Sequence, residues 1–324
     1  MTRGHRSHTL VAVFVVAFAA FSLRISAQYA IGPRAAAQQN TAYQQTPSMT
    51  LWQARSIIQE RLANIIPSQV KSLGNGLHED WNNSISAVRV TGYKVEYDYS
   101  WSMQGRGFGY HPAPESGQGT RTIDLKQTGP VFGVVTSGWA PVGRGRRGGT
   151  FTVAADPQFV CAGYCLINQE QQRYVDSALM WSSAQDANLI AQALNRLSAS
   201  ARGIRTPQEE AVWNDFPQKA AAWRALAVKP PENEEVHRHR ILAENAISEQ
   251  DFSSALQHYE AGLAIDPVWP NGHYNAAMMY AQFGLYNEAI QHMQAYLTLV
   301  PDASDAQAAR DKIYIWEDKL KRTQ

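Results

Sequence analysis

Cysteine and charged residues are scarce in this chain. It holds 2 cysteines in 324 residues, and Asp, Glu, Lys and Arg together make up 18% of it. The formal net charge is +1, and Arg3, Arg6 and Arg24 fall in a segment that we expect to be removed, which leaves 1 − 3 = −2. A nearly neutral mature chain argues against nucleic acid as a partner.

Motifs of catalysis and phosphate binding are also missing. No G-x-S-x-G, H-E-x-x-H or P-loop pattern occurs. Gly143, Gly145 and Gly148 satisfy G-x-G-x-x-G, but strand-like residues follow them, so we interpret the segment as a hairpin loop. We therefore expect a protein that is not an enzyme and uses no cofactor. The alternative, an enzyme, would use the loops Gln104–Gly119 and Gly138–Gly149 as the walls of its site.

Long apolar runs are absent except near the start of the chain. Arg3, His5 and Arg6 precede the apolar run 10–23, which is short for a membrane span of about twenty residues. Ala27 offers a small residue at the cleavage position, with an uncharged residue two positions before it. We expect a signal peptide over residues 1–27 and an exported protein, periplasmic or secreted. An uncleaved membrane anchor is the alternative. Residues 28–47 are predicted to be a flexible spacer, because they lack an apolar period.

Residues 48–203 are predicted to form an antiparallel, strand-rich domain. Thr50 and Gln53 make a capping box for a first helix, which we expect Pro67 to end. Ser182 and Gln185 are expected to open a closing helix with a broad apolar face. Between these helices, period-two alternation predicts strands in the segments SAVRVTGYKVEYDYSW, TRTIDLKQ, PVFGVVTSG, GTFTVAA and YVDSALMWSS.

The end of this domain carries a resemblance. The segment LMWSSAQDANLIAQALNRL places an apolar strand directly before a helix rich in Ala and Leu. A meander of strands closed by one helix resembles the pleckstrin-homology-like fold. Residues 204–234 then form a helical connector and hinge, which begins at Thr206 and in which Pro217 is expected to break or kink the helix.

Residues 235–324 contain an internal repeat. Ala255 and Pro267 match Ala289 and Pro301, because 289 − 255 = 301 − 267 = 34. This period resembles that of the tetratricopeptide repeat family. The resemblance implies an all-α array of helix pairs with a capping helix after Pro301, so the whole chain is expected to be α+β. Its first helix departs from the family pattern at His239 and Ala246, where large aromatic residues are usual.

The family resemblance also implies a binding face. Members hold a partner protein or peptide in a groove lined by the first helix of each pair. In this chain the residues of that groove would be His237, Arg240, Glu244, Tyr274, Asn275, Met278 and Lys312. His237 and His239 stand two residues apart and do not share a helix face, so we expect no metal site from them.

Two further candidate features lie in the strand-rich domain. Arg144, Arg146 and Arg147 crowd one loop, and basic loops of pleckstrin-homology-like folds often face acidic lipid headgroups. Cys161 and Cys165 are expected to form a local disulfide in an oxidising compartment. Our hypothesis is an exported adaptor that binds a protein or peptide through the repeats. The alternative is a protein that binds an anionic membrane surface through the arginine loop.

Overall fold

The α+β class expected from the sequence is confirmed, because antiparallel sheets are followed by a run of helices. The computed structural model describes residues 49–74, 77–107, 113–127, 132–136, 142–144, 150–152, 161, 163–169, 173–176 and 179–322. Ser48–Gln324 forms one compact unit. The proposed signal peptide, the spacer, Arg146 and Arg147 lie outside the described residues.

The strands and helices follow in chain order. The strands are β1 (Ser68–Gly74), β2 (Leu77–Thr91), β3 (Lys94–Arg106), β4 (Glu115–Asp124), β5 (Phe132–Val135), β6 (Val142–Arg144), β7 (Thr150–Thr152), β8 (Tyr164–Asn168), β9 (Arg173–Tyr174) and β10 (Met180–Trp181). The helices are α1 (Leu51–Arg61), α2 (Ala184–Ala201), α3 (Pro207–Ala225), α4 (Glu234–Ser248), α5 (Phe252–Ile265), α6 (Pro270–Gln282), α7 (Tyr286–Leu299) and α8 (Ala306–Arg322).

The larger sheet is an antiparallel meander in the order β1-β2-β3-β4. A smaller sheet has the order β10-β8-β5, and β9 also pairs with β8. The sequence expectation of one long loop over Gln104–Gly119 is wrong, because β3 continues to Arg106 and β4 already begins at Glu115. Strands β3 and β4 pair antiparallel, and Met103 lies opposite Glu115 at one end of the ladder. Both ends of the segment Gln104–Gly119 therefore belong to strands.

The first helix begins as expected and ends early. The Thr50 side chain accepts a hydrogen bond from the Gln53 backbone N–H, and the Gln53 side chain accepts one from the Thr50 N–H at 2.9 Å, so the capping box is confirmed. The helix ends at Arg61 rather than at Pro67. The Asn64 N–H donates to the Arg61 carbonyl in a tight turn, so the chain has already left the helix when it reaches Pro67.

The closing helix of the strand region lies where the sequence predicts it, with one shift at its start. Its N-cap is Ser183, whose side chain accepts from the Asp186 N–H at 3.2 Å, and not Ser182. The segment YVDSALMWSS contributes less strand than expected, since Met180–Trp181 is the strand directly before the helix. Ile190, Leu194 and Leu197 of α2 are fully buried, as the apolar face predicted.

Helix α3 contradicts the expected break at Pro217. The helix starts at Thr206 as predicted, where Thr206 and Glu209 form a capping box, and it then runs without interruption from Pro207 to Ala225. A proline inside a helix removes one backbone hydrogen bond and strains the preceding turn. Here Pro217 is exposed, while Phe216 beside it is buried against α7, so packing of the opposite face holds the helix together.

The C-terminal helices form two antiparallel pairs and a final helix. In each pair an alanine is fully buried between the helices, Ala255 in α5 and Ala289 in α7. The second helices of the two pairs begin 286 − 252 = 34 residues apart. Helix α8, the expected helix after Pro301, buries one face made of Ala306, Ala309, Ile313 and Trp316.

One continuous core links the strands to the helix pairs. The β2–β3 turn touches the α6–α7 turn, where the Gly92 N–H donates to the Phe283 carbonyl at 2.6 Å. Gly92 and Gly284 both have positive φ, and a Cβ on Gly92 would lie 3.0 Å from the Gly284 carbonyl oxygen. Glycine on both sides therefore allows two backbone turns to meet directly.

Candidate functional site

Three of the predicted groove residues form a charged cluster on α4. The Arg240 guanidinium lies 3.0 Å from the Glu244 carboxylate and 3.2 Å from that of Glu232, and it also contacts the His237 ring nitrogen Nδ1 at 2.9 Å. The hydrogen bonds to Glu244 and Glu232 raise the pKa of Arg240. Glu232 was not predicted, because it precedes the helix and reaches Arg240 only after the chain turns.

The predicted residues of α6 lie in a less polar setting. The Tyr274 ring meets the Tyr296 ring edge-on, with 5.1 Å between their centroids. Burial, followed by the nearby Asp305 carboxylate, raises the pKa of Tyr274. Met278 is half-buried against the core, and Asn275 is also half-buried. These side chains offer an aromatic edge, a thioether and an amide at the surface.

The repeat places the predicted residues at equivalent positions. Glu244, Met278 and Lys312 are related by 278 − 244 = 312 − 278 = 34. Lys312 is half-exposed on α8. Within the described part of the chain, hydrogen bonds join the predicted groove residues of α4 to one another, and these bonds do not extend to Asn275 or Lys312.

An apolar residue of this face was missed by the sequence analysis. Ile241 on α4 is 46% exposed and is equivalent to Asn275, since 275 − 241 = 34. The repeat itself would have revealed it. We use the name groove face for Ile241 together with the predicted residues His237, Arg240, Glu244, Tyr274, Asn275, Met278 and Lys312.

The main contacts of the preceding region with the array fall on the second helix of each pair. Helix α1 contacts α5, and α3 contacts α7. Phe216 and Ala220 of α3 bury Ala295 and Leu299 of α7. These contacts lie on the helices that do not carry the groove face.

The other predicted features lie in the strand region. Arg144 ends β6, which pairs antiparallel with β7, so that Arg144 is opposite Thr150. A disulfide joins Cys161 to Cys165, and their Cα atoms are 6.0 Å apart. Both cysteines are buried beside Met180. The disulfide is therefore part of a small local core and is distant in sequence from the groove face.

A buried polar cluster between α2, α7 and the β2–β3 turn was not predicted. The Glu288 carboxylate accepts hydrogen bonds from the Tyr93 hydroxyl at 2.9 Å and from the Ser200 hydroxyl. The Asn287 amide donates to the Ser200 carbonyl at 3.3 Å. Burial raises the pKa of Glu288, and the two hydroxyl donors oppose that shift. The cluster fixes the strand region on the helix pairs.

A cleft of about 290 Å³ opens beside this cluster. Its walls come from α2, α3, α6 and α7, and they include Arg196, Arg205, Glu209, Trp213, Glu288 and His292. Arg196 donates to Glu209 and, through Nε, to the Met49 carbonyl at 3.0 Å. Titratable groups therefore converge in this cleft, and its lining residues include none of the described residues of the two loops that the enzyme alternative would use.

A second buried carboxylate lies between α5 and α6. The Tyr280 hydroxyl donates to the Glu260 carboxylate, whose other oxygen is also shielded from solvent. Burial raises the pKa of Glu260 to about 7, against the opposing effect of the Tyr280 hydrogen bond. This group changes charge near neutral pH.

Each helix pair contains a pair of facing histidines. In the first pair His239 and His258 approach with 3.2 Å between their Nδ1 atoms, and in the second pair His273 and His292 approach with 3.0 Å. The two histidine pairs are equivalent, because 273 − 239 = 292 − 258 = 34. The sequence signal was present in the 34-residue spacing.

Comparison with known proteins gives no family and no relative: no protein-family description matches the chain, and no curated protein matches it. In the part of the chain that the structure describes, no cluster of three or more His, Cys, Asp or Glu residues is arranged to hold a metal ion. No helix in that same part has the length and apolar character needed to cross a membrane.

Proposed function

We propose that this protein is an exported, non-enzymatic adaptor that binds a partner protein or an extended peptide on its groove face. In this proposal the helix pairs are a tetratricopeptide-type array, and the strand region is a pleckstrin-homology-like domain that supports it. Export rests on the signal-like N-terminus of the sequence.

One observation carries the proposal. Helices α1 and α3 contact the array mainly through its second helices, and the ring contacts of α3 on α6 fall on His273, which is not a residue of the groove face. On the first helices an exposed isoleucine, Ile241, stands beside the ion-paired Arg240 and Glu244. Apolar anchors surrounded by charged groups are typical of peptide-binding faces.

A peptide-display selection against the untagged full chain tests the proposal. Peptides selected on the wild-type protein are measured again on a variant with Ile241→Ala and Met278→Ala, which removes two apolar anchors. We expect affinity to fall at least tenfold, since each anchor at the centre of an interface contributes about 1–2 kcal/mol or more. Tyr314→Ala is the matched control, because Tyr314 is an exposed large side chain on α8 and is not part of the groove face.

The outcome is decided by the difference between the two variants. Loss of binding in the groove variant with retention in the Tyr314 control supports docking on the first helices. Equal binding to all three proteins would show that the selected peptides use another surface, and the groove proposal would fail.

A second candidate function follows from the arginine loop. Arg146 and Arg147 fall in the sequence between β6 and β7, whose antiparallel pairing supports a hairpin. We propose anionic-lipid binding by these arginines with Arg144 as the alternative to peptide docking. Sedimentation with vesicles containing phosphatidylserine tests it, because replacement of the three arginines by Ala should abolish binding. Retained binding would contradict this alternative.

A further inference from the structure

The half-exposed histidines of the first helix pair have a separation that suits a chelating site. His239 on α4 and His258 on α5 direct their Nδ1 atoms at each other across 3.2 Å. Two metal–nitrogen bonds of about 2.0–2.1 Å, meeting at a tetrahedral or square-planar angle, place their nitrogens about 3 Å apart. The separation already present between the rings therefore suits one shared metal ion.

We propose that His239 and His258 bind one divalent late transition-metal ion between α4 and α5, with water completing its coordination. Imidazole nitrogen is a suitable ligand for Zn²⁺, Ni²⁺ and Cu²⁺, and the general order of affinities places Cu²⁺ first. A site with two protein ligands is open to solvent on its remaining sides. It would join the two helices of the first pair directly.

The second histidine pair shows why the proposal is confined to the first. The His273 Nε2 lies 2.9 Å from the Pro267 carbonyl, so Nε2 carries the proton and the His273 Nδ1 accepts from His292. The Trp213 and Phe216 rings of α3 pack against this pair. His273 is 4% exposed. His292 lines the cleft described above, but the covered His273 leaves an ion without access to the second nitrogen of this pair.

The first pair lacks this cover. His239 and His258 are both half-exposed. Arg238, which is adjacent to His239 in the sequence, forms an ion pair with Glu235 at 3.4 Å. Both rings are therefore accessible to an ion that arrives from the solvent.

Calorimetric titration of the untagged full chain with Cu²⁺ tests the site. We expect one site per chain, and at least a tenfold loss of its affinity in His239→Phe and in His258→Phe. Phenylalanine keeps most of the ring volume, and circular dichroism checks that each variant is folded. His78→Ala is the control for nonspecific histidine binding, because His78 lies on β2 in the strand region.

A measurement on the wild-type protein alone keeps the proposal open to refutation if a variant misfolds. Paramagnetic Cu²⁺ broadens the nuclear magnetic resonance signals of the rings that bind it. Selective broadening of His239 and His258 at one equivalent of ion supports the site. Broadening of other histidines first, or an affinity that both phenylalanine variants retain, would overturn it.

Discussion

The two helix pairs share a repeat and differ in what covers them. Leu299 in the second pair is 2% exposed, and its equivalent Ile265 in the first pair is 46% exposed, although 299 − 265 = 34. The difference comes from α3, which packs on α7 and buries Leu299 together with Ala295. Equivalent residues therefore acquire different energetic roles from their neighbours outside the repeat.

The comparison extends to the polar residues. Glu260 of the first pair is equivalent to Gln294 of the second, and the carboxylate of Glu260 is enclosed while Gln294 is exposed. The first pair thus buries a carboxylate and leaves both histidines half-exposed, whereas the second pair buries His273. Four paired substitutions, from the largest expected effect to the smallest, test whether these differences have the energetic consequences that burial implies.

The largest difference is expected for the two aliphatic residues. Leu299→Ala should destabilise the protein by about 2–5 kcal/mol, because it leaves a cavity under α3. Ile265→Ala should cost less than about 1 kcal/mol, since much of that side chain is already in water. Urea denaturation followed by circular dichroism measures both. Equal losses would show that α3 does not bury the second pair in solution.

The next difference concerns the turns inside each pair. Gln250 in the first turn and Gly284 in the second both have positive φ, 61° and 75°. Gly284→Gln should cost about 2–3 kcal/mol, because a side chain adds backbone strain and its Cβ would lie 3.1 Å from the Gly92 nitrogen. Gln250→Gly should stabilise slightly or have no effect. Thermal unfolding compares the two, and a tolerated Gly284→Gln would contradict the direct contact of the turns.

The histidine pairs should differ in their sensitivity to acid. Burial lowers the pKa of His273 to about 4, so its contribution to stability is complete above the unfolded value of about 6.5 and is lost as the pH falls toward 4. Between pH 7 and pH 5 this loss is about 2 kcal/mol. A variant with phenylalanine at both 273 and 292 should lose less stability over this range than the wild type.

The matched variant has phenylalanine at both 239 and 258. It should keep most of the wild-type loss between pH 7 and pH 5, because the buried histidines remain. Urea midpoints at the two pH values provide the measurement. An equal fall of the urea midpoint between pH 7 and pH 5 in the two double variants would contradict the assignment of acid sensitivity to the second pair.

The smallest effect is expected at the buried carboxylate. The pKa of Glu260 is raised to about 7, so its contribution is complete below the unfolded value of about 4.3 and is lost as the pH rises through 7. Glu260→Gln should therefore gain about 1 kcal/mol relative to the wild type as the pH rises from 6 to 8. Gln294→Glu on the exposed equivalent should show no such trend. A gain at pH 4 as large as at pH 8 would exclude titration of Glu260 as its cause.

Local signals predicted the helix starts and the repeat. Capping boxes at Thr50 and Thr206 and the 34-residue spacing depend on residues close in sequence or on exact repetition. Strand β1 and the first half of β2 were missed, because the segment LHEDWNNS is polar on both faces and lacks the alternation of a half-buried strand. The predicted break at Pro217 was wrong, because packing of the neighbouring Phe216 against α7 holds the helix together.

The site was less accessible to sequence reasoning. The groove positions followed from the repeat, but the Glu232 contact with Arg240 depends on the path of the chain before α4. The contact between Tyr93 and Glu288 joins residues 195 positions apart, and no local pattern indicates it. The facing histidines were detectable from their spacing. The sequence reasoning compared His239 with its neighbour His237, whereas the histidine that faces His239 in the structure is His258.

The bond between Tyr93 and Glu288 also affects the order in which the chain acquires its structure. The N-terminal part of a chain leaves the ribosome first. Tyr93 and Glu288 are 195 positions apart, so Tyr93 is made long before its partner. The tip of the β2–β3 hairpin therefore remains without its anchor until almost the whole protein has been synthesised. Contacts between distant parts of a chain slow folding, so the sheet reaches its final setting only after the last helices arrive.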